Sequence, residues 1–210
     1  MNNVMRIKSI LTACSVLILL LLISGCAKPP TLEIDAAKAA IQAAKAAEAD
    51  VYAASEFTAA QKALADAEAK VTGKEYELAK AAAIQAKEKA DAAKAAAGPE
   101  KVKAKARAEQ ALAGAKAEVA GAKELIANAP KKADLGTLKS DLEQVEQGLP
   151  EADAAYNRED YKGAASKAEM IQRNAAGIGE SVQIALDAYA AELLKRQSQW
   201  YEGARKKQCP

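Results

Sequence analysis

Along most of the chain, apolar residues return at alternating intervals of three and four. Phe57, Ala60, Leu64, Ala67 and Val71 do so, followed by Tyr76, Ala79, Ala83, Ala86, Ala90, Ala93 and Ala97. A third run is Leu135, Leu138, Leu142, Val145, Leu149, Ala152 and Tyr156. The longest joins Tyr161, Ala164, Ala168, Ile171, Ala175, Ile178, Val182, Ala185 and Tyr189, after which the stripe is expected to weaken. Such spacing puts each set on one side of a helix, and a stripe of this kind is buried against other helices. No window alternates with the period of two that marks a strand. Strong helix formers (Ala, Lys, Glu, Leu, Gln) dominate beyond Thr31. The pattern predicts an all-α fold of antiparallel helical hairpins, with helices at about 32–49, 55–72, 75–97, 100–128, 134–156 and 160–200.

The interruptions are few. Thr72-Gly73-Lys74-Glu75 has the spacing of a capping box, in which hydroxyl and carboxylate satisfy each other's backbone amides. Gly98-Pro99 predicts a stop and restart, and Asn128-Ala129-Pro130 another. Asn157 and Asp160 suit the start of the last helix. Pro150, just after Gly148, predicts a brief break without change of direction, because the stripe keeps phase across it.

A duplication underlies the pattern. The stretch 34–90 aligns without a gap on 119–175: Ile34 on Val119, Lys38 on Lys123, Phe57 on Leu142, Leu64 on Leu149, Glu75 on Asp160 and Tyr76 on Tyr161. Each copy would be a three-helix unit with alanine-rich heptad packing, so two such units are expected in tandem.

The N-terminus sets the expected compartment. Arg6 and Lys8 precede an apolar run, Ile10–Ile23, shorter than the roughly 20 residues of a membrane span and suited to a cleaved signal. It ends in Ile23-Ser24-Gly25-Cys26, which resembles the bacterial lipobox. That resemblance implies a diacylglyceryl group on Cys26, cleavage between Gly25 and Cys26, and attachment to a membrane through the N-terminal lipid. Leu11-Thr12-Ala13-Cys14 fits the short pattern but lacks an apolar run before it. Ala27 is not the aspartate that resembles an inner-membrane retention signal, so the periplasmic side of the outer membrane is expected, with the inner membrane the lesser alternative. Lys28-Pro29-Pro30 makes a stiff extended tether.

Composition narrows the chemistry. Beyond Gly25, 28 basic side chains balance 28 acidic ones, so there is no basic stripe to neutralise a nucleic-acid backbone. Histidine is absent, which removes the commonest acid–base group and metal ligand. Alanine is by far the commonest residue and aromatics make up only 4% of the chain, so bulky core residues are scarce. Gly177-Ile178-Gly179 sits inside a helical stripe and lacks the rest of a phosphate-binding pattern. Glu143, Glu146, Glu151 and Asp153 belong to an acidic stretch, 134–161, opposite the basic stretch 99–133, so charge can help pair the two. No catalytic, metal or cofactor residues are expected, and no enzyme. Cys209 is left as a lone thiol able to form a disulfide dimer.

The segment Ala49-Asp50-Val51-Tyr52-Ala53-Ala54-Ser55-Glu56-Phe57, with Ala63-Leu64, Glu75-Tyr76, Ala79 and Ala83, resembles a helical domain of unknown function in alanine-rich bacterial lipoproteins. Members often continue into an OmpA-like domain, which has no counterpart here. The resemblance covers about 31–98 well and the second unit weakly. It implies a fold and an address but no chemistry. The expected organisation is a signal peptide (1–25), a lipidated tether (26–31), a first helical unit (32–98) and a second (99–210) with a long last helix and basic tail. The expected role is a scaffold or protein-interaction module of the envelope, without a nucleic-acid partner. Its contacts with an envelope protein are placed at Tyr52 and Phe57 or at Trp200 and Tyr201. The rival expectation is an extended spacer resembling the stalk of TolA-type envelope proteins.

Overall fold

The computed structural model describes residues 28–208; Cys14, Gly25, Cys26 and Cys209 lie outside them. The fold is all-α, with no strand among the described residues. Helix α1 spans Thr31–Ala46, α2 is the single turn Ala49–Tyr52, and α3 spans Ala54–Thr72. Helix α4 spans Tyr76–Asn128, α5 Leu138–Glu146, α6 Leu149–Asn157 and α7 Tyr161–Gln208. The described residues fall into two compact units that divide between Pro99 and Glu100. Every stripe residue named above, from Phe57 to Tyr189, is buried or half-buried.

In the first unit three layers give the helix directions. Ile34 packs with Ala67, Ala82 and Ala83; Ala40 with Ala60 and Ala90; Ala44 with Phe57, Ala93 and Ala97. As α1 ascends, α3 descends and α4 ascends again, so consecutive long helices are antiparallel. The middle layer consists of three alanines with Ile41 against it. Methyl-sized contacts let helix axes come close, and each buried methyl contributes only about 0.8 kcal/mol. Ion pairs flank these layers, Lys38 to Glu68 at 2.8 Å and Lys80 to Glu33 at 3.1 Å.

The second unit repeats the arrangement. Its cross-helix pairs are Lys101–Glu159 at 2.7 Å, Lys116–Asp153 and Lys123–Glu146 at 2.9 Å, and Lys167–Glu151 at 2.9 Å. Position numbers rise on α4 as they fall on α5 and α6, and the basic stretch meets the acidic one. Leu112, Ala115, Val119, Leu142, Ile171 and Val182 are among its buried residues.

Several local expectations are corrected. Gly98-Pro99 does not stop the helix, since α4 continues through Pro99. An interior proline costs about 3 kcal/mol, but the preceding glycine has no Cβ to meet the ring. The buried alanines Ala90, Ala93 and Ala97 also hold the segment helical.

Thr72 and Glu75 form no capping box. The Thr72 hydroxyl donates back to the Glu68 carbonyl at 3.1 Å. The turn is closed by the amide of Glu75 on the Lys70 carbonyl, 2.9 Å, and that of Lys74 on Val71, 3.0 Å. This is a Schellman ending with Lys74 left-handed at φ 60°. Glu159, at φ 64°, occupies the aligned place in the second unit, and Asp160 then caps α7 by accepting from the Gly163 amide at 2.9 Å. Asn157 ends α6 instead of starting α7. The helix expected from 134 begins at Leu138 and is interrupted at 147–148 before α6, with Pro150 in the first turn of α6.

The ungapped alignment lets the two units be compared. In the ungapped alignment Glu68 falls on Asp153 and its ion-pair partner Lys38 falls on Lys123. Asp153 instead holds Lys116, one heptad before Lys123. The hollow bordered by Ile41, Gln42, Lys45, Ala46, Phe57 and Gln61 nevertheless has its aligned counterpart, since Ile126, Ala127, Pro130, Lys131, Leu142 and Glu146 all border one hollow of the second unit. The first and second helices of the two units therefore meet in corresponding places, with the exposed ion pair differing by a heptad on its lysine side.

Candidate functional site

The first expected contact region is the link between α1 and α3. Glu48 takes φ 60°, which turns the chain into α2. This drives Tyr52 and Phe57 inward, leaving them 7% and 6% exposed. Phe57, the single phenylalanine of the chain, fills the space left by Ala44, Ala49, Ala53, Ala93 and Ala97. The rings are core. What the link presents to solvent is Glu48, Asp50, Val51 and Ser55. The hollow beside Phe57 is lined by Ile41, Gln42, Lys45, Ala46 and Gln61, and neither Tyr52 nor Tyr76 borders it.

The second region is the end of α7. Val182 is the last buried residue, and every described side chain beyond it is exposed or half-buried. Trp200 is 67% exposed and Tyr201 56%, their rings edge to face with centroids 5.1 Å apart. The apolar stripe weakens after Tyr189, as expected, but it does not end there. Leu193, Trp200 and Ala204 stand on the same line of the helix as Val182, Leu186 and Tyr189, since steps of four, three, four, seven and four residues stay near multiples of the helical turn. Arg196 and Gln197 hide this in the sequence by placing polar residues where the next apolar one was due.

The charged groups are distributed in pairs and do not converge. Lys101 holds the Glu159 carboxyl below the usual range, and Lys167 does the same to Glu151, in each case chiefly by donating a hydrogen bond. Glu68 raises the Lys38 ammonium and Asp91 raises that of Lys87. Arg107 meets Glu169 at 2.8 Å. Among the described residues no three Asp, Glu or Cys side chains gather in a way that could hold a metal ion. A hollow of about 790 Å³ opens beside the α4–α5 link and is bordered by Ile126, Pro130, Leu135 and Leu142. Lys123 on its rim is turned to Glu146.

One phenol stands apart. Tyr156 donates its hydroxyl proton to the Glu109 carboxylate, and this bond, with the repulsion between the carboxylate and a phenolate, pushes its pKa up to about 12. Its ring lies 5.3 Å from that of Tyr161, over which Lys101 sits at 6.0 Å. The group ties α4 to the α6–α7 turn. Its carboxylate and ammonium charges are engaged in these contacts, which suits a fastening better than proton transfer.

No protein-family model, curated protein or solved structure matches this chain. Its function therefore rests on its own residues. Among the described residues, no helix is long and apolar enough to cross a membrane.

Proposed function

We propose that the protein is a lipid-anchored helical scaffold of the bacterial envelope, held by Cys26 to the periplasmic side of the outer membrane and acting through its surfaces. The observation that carries this reading is Ile23-Ser24-Gly25-Cys26 behind Arg6, Lys8 and the apolar run. The helical units support it indirectly, because their polar groups are spent on ion pairs, turns and caps, which leaves surfaces as the means of action. Its partner is an envelope protein, met through the exposed surfaces of the helical units. The rival reading, a spacer like the stalk of TolA-type proteins, draws on the unbroken 53 residues of α4. The buried stripes on both halves of that helix weigh against a single-stranded stalk.

Only the thiol of Cys26 can accept the diacylglyceryl group, so Cys26→Ser leaves the chain without lipid. One acyl chain binds a membrane with a constant of only about 10⁴ M⁻¹, whereas two or three hold firmly. The wild type is expected in the membrane fraction after a high-salt wash and the serine variant in the soluble fraction. Retention of the serine variant in washed membranes would refute the anchor.

A further inference from the structure

The end of α7 has a counterpart inside the chain. Residues 76–97 and 161–182 are the third helices of their units, and both helices run on without a break. In α4 the continuation buries Ala108, Ala115 and Val119 within the second unit. At the aligned positions of α7 stand Leu193, Trp200 and Ala204, on the same side of their helix. That side has no cover among the described residues: Leu193 is 44% exposed and Trp200 67%. The stripe is continuous with the core through Val182, Leu186 and Tyr189, so it has the form of a packing face.

We propose that this face pairs with the same segment of a second copy of the chain, antiparallel, over residues 183–206. Two observations select that occupant. The apolar positions Tyr189, Leu193, Trp200 and Ala204 are separated by four, seven and four residues, a spacing that is the same read in either direction. A two-fold axis between Arg196 and Gln197 then sets Leu193 against Trp200 of the partner subunit and the large Tyr189 against the small Ala204 of the partner subunit. Such self-complementarity is what a two-fold interface requires.

Charge is the second observation. Residues 183–194 carry Asp187 and Glu192 and no cation, while 195–206 carry Lys195, Arg196, Arg205 and Lys206 against Glu202. Antiparallel pairing lays the acidic half on the basic half and opposes the helix dipoles favourably. Parallel pairing would lay like on like. Arg196, beside the axis, is already neutralised by Glu192 at 3.2 Å. The segment is about 36 Å of helix, enough for a modest interface that confinement to a membrane surface would strengthen by raising local concentration. The proposal does not depend on how the chain is anchored.

The test places single cysteines in full-length chain carrying Cys209→Ser, the chain without added cysteine serving as the blank. Tyr189→Cys and Ala204→Cys are made separately and also co-expressed as two tagged copies, then treated in membranes with a short bis-maleimide. In the antiparallel pair, the two thiols of a Tyr189→Cys dimer lie about 22 Å apart along the axis, as do those of an Ala204→Cys dimer, while one thiol of each kind would be adjacent. Co-expression is expected to give a covalent dimer bearing both tags, with each single variant giving little above the blank. Dimer from the single variants but not from the mixture would show parallel pairing and overturn the proposal. Absence of dimer in all three overturns it as well and leaves the stripe to another partner. Both positions lie outside the buried core, and unchanged melting of the variants confirms that folding is not what the result reports.

Discussion

Ala60→Leu separates a packed alanine bundle from loosely associated or independent helices by the sign of its effect. Ala60 is fully buried in the middle layer of the first unit, between Ala40 and Ala90. Leucine adds three carbons. Were there room for them, their burial would stabilise by about 2 kcal/mol, at roughly 0.8 kcal/mol per carbon. In a layer of methyl-sized contacts there is none, and overpacking of this kind costs about 1–3 kcal/mol as side chains leave their rotamers and helices are forced apart. The two cases differ by about 3–5 kcal/mol. For a domain of this size 1 kcal/mol moves the melting temperature by roughly 4–8 °C. Melting of residues 28–210, followed by far-ultraviolet circular dichroism, is expected to fall by roughly 5–20 °C for Ala60→Leu. Ala65→Leu, an exposed position on the same helix, should change it little. If Ala60→Leu melted at or above the wild type, the close packing described for α1, α3 and α4 would be wrong, and the spacer reading would gain.

Three further outcomes follow from local geometry. Lys74→Gly relieves a left-handed residue at φ 60° and should stabilise by about 1 kcal/mol, whereas Lys74→Ala, which keeps a Cβ, should not; equal melting of the two would remove the strain argument. Pro99→Ala restores a donor in the interior of α4 and should stabilise by up to about 3 kcal/mol. No gain there would mean that the helix is already broken at Gly98-Pro99 in solution. Tyr156, raised to about 12, stays protonated in the folded chain after an ordinary tyrosine has ionised. The folded state therefore binds the extra proton between about pH 10 and 12, and this contribution to stability is complete below that window and lost as pH rises through it. Spectrophotometric titration should show a late phenol component that is lost in Tyr156→Phe and moved back towards 10 in Glu109→Gln; a titration curve unchanged by both substitutions would contradict the Tyr156–Glu109 bond.

The helices were legible because their cause is local and repeated. Phe57, Ala60 and Ala67, or Ala164, Ala168 and Ile171, declare a buried side by spacing alone, and alanine, lysine and glutamate declare the helix. The turns were legible in place but not in chemistry. Thr72 and Glu75 have the residue types and spacing of a cap. The chain nevertheless closes α3 with a Schellman turn on the Lys70 and Val71 carbonyls, which takes up the Glu75 amide that a cap would have used and admits a left-handed lysine. Pro99 misled for the opposite reason. Its local cost is real, yet Ala90, Ala93 and Ala97 are already committed to a buried helical face, so packing outweighs it.

The surfaces were harder to see than the core, and the heptad explains why. A pattern in which alanine follows alanine every three or four residues specifies which side of a helix is buried, but it specifies axial register only where a larger or charged residue intervenes. Lys116 with Asp153 and Lys123 with Glu146 supply such charged markers in the second unit. The same ambiguity hid the end of α7, where Arg196 and Gln197 interrupt the stripe for one turn before Trp200 and Ala204 resume it. Tyr52 and Phe57 err in the other direction. Aromatic residues in a link resemble a contact surface, yet in a core built of methyl groups the few large rings are needed inside to fill what alanine leaves open. In this chain, then, an aromatic beside a buried alanine layer indicates packing, as Phe57 does. One that lies beyond the last buried residue, as Trp200 does, is the better sign of a surface that works.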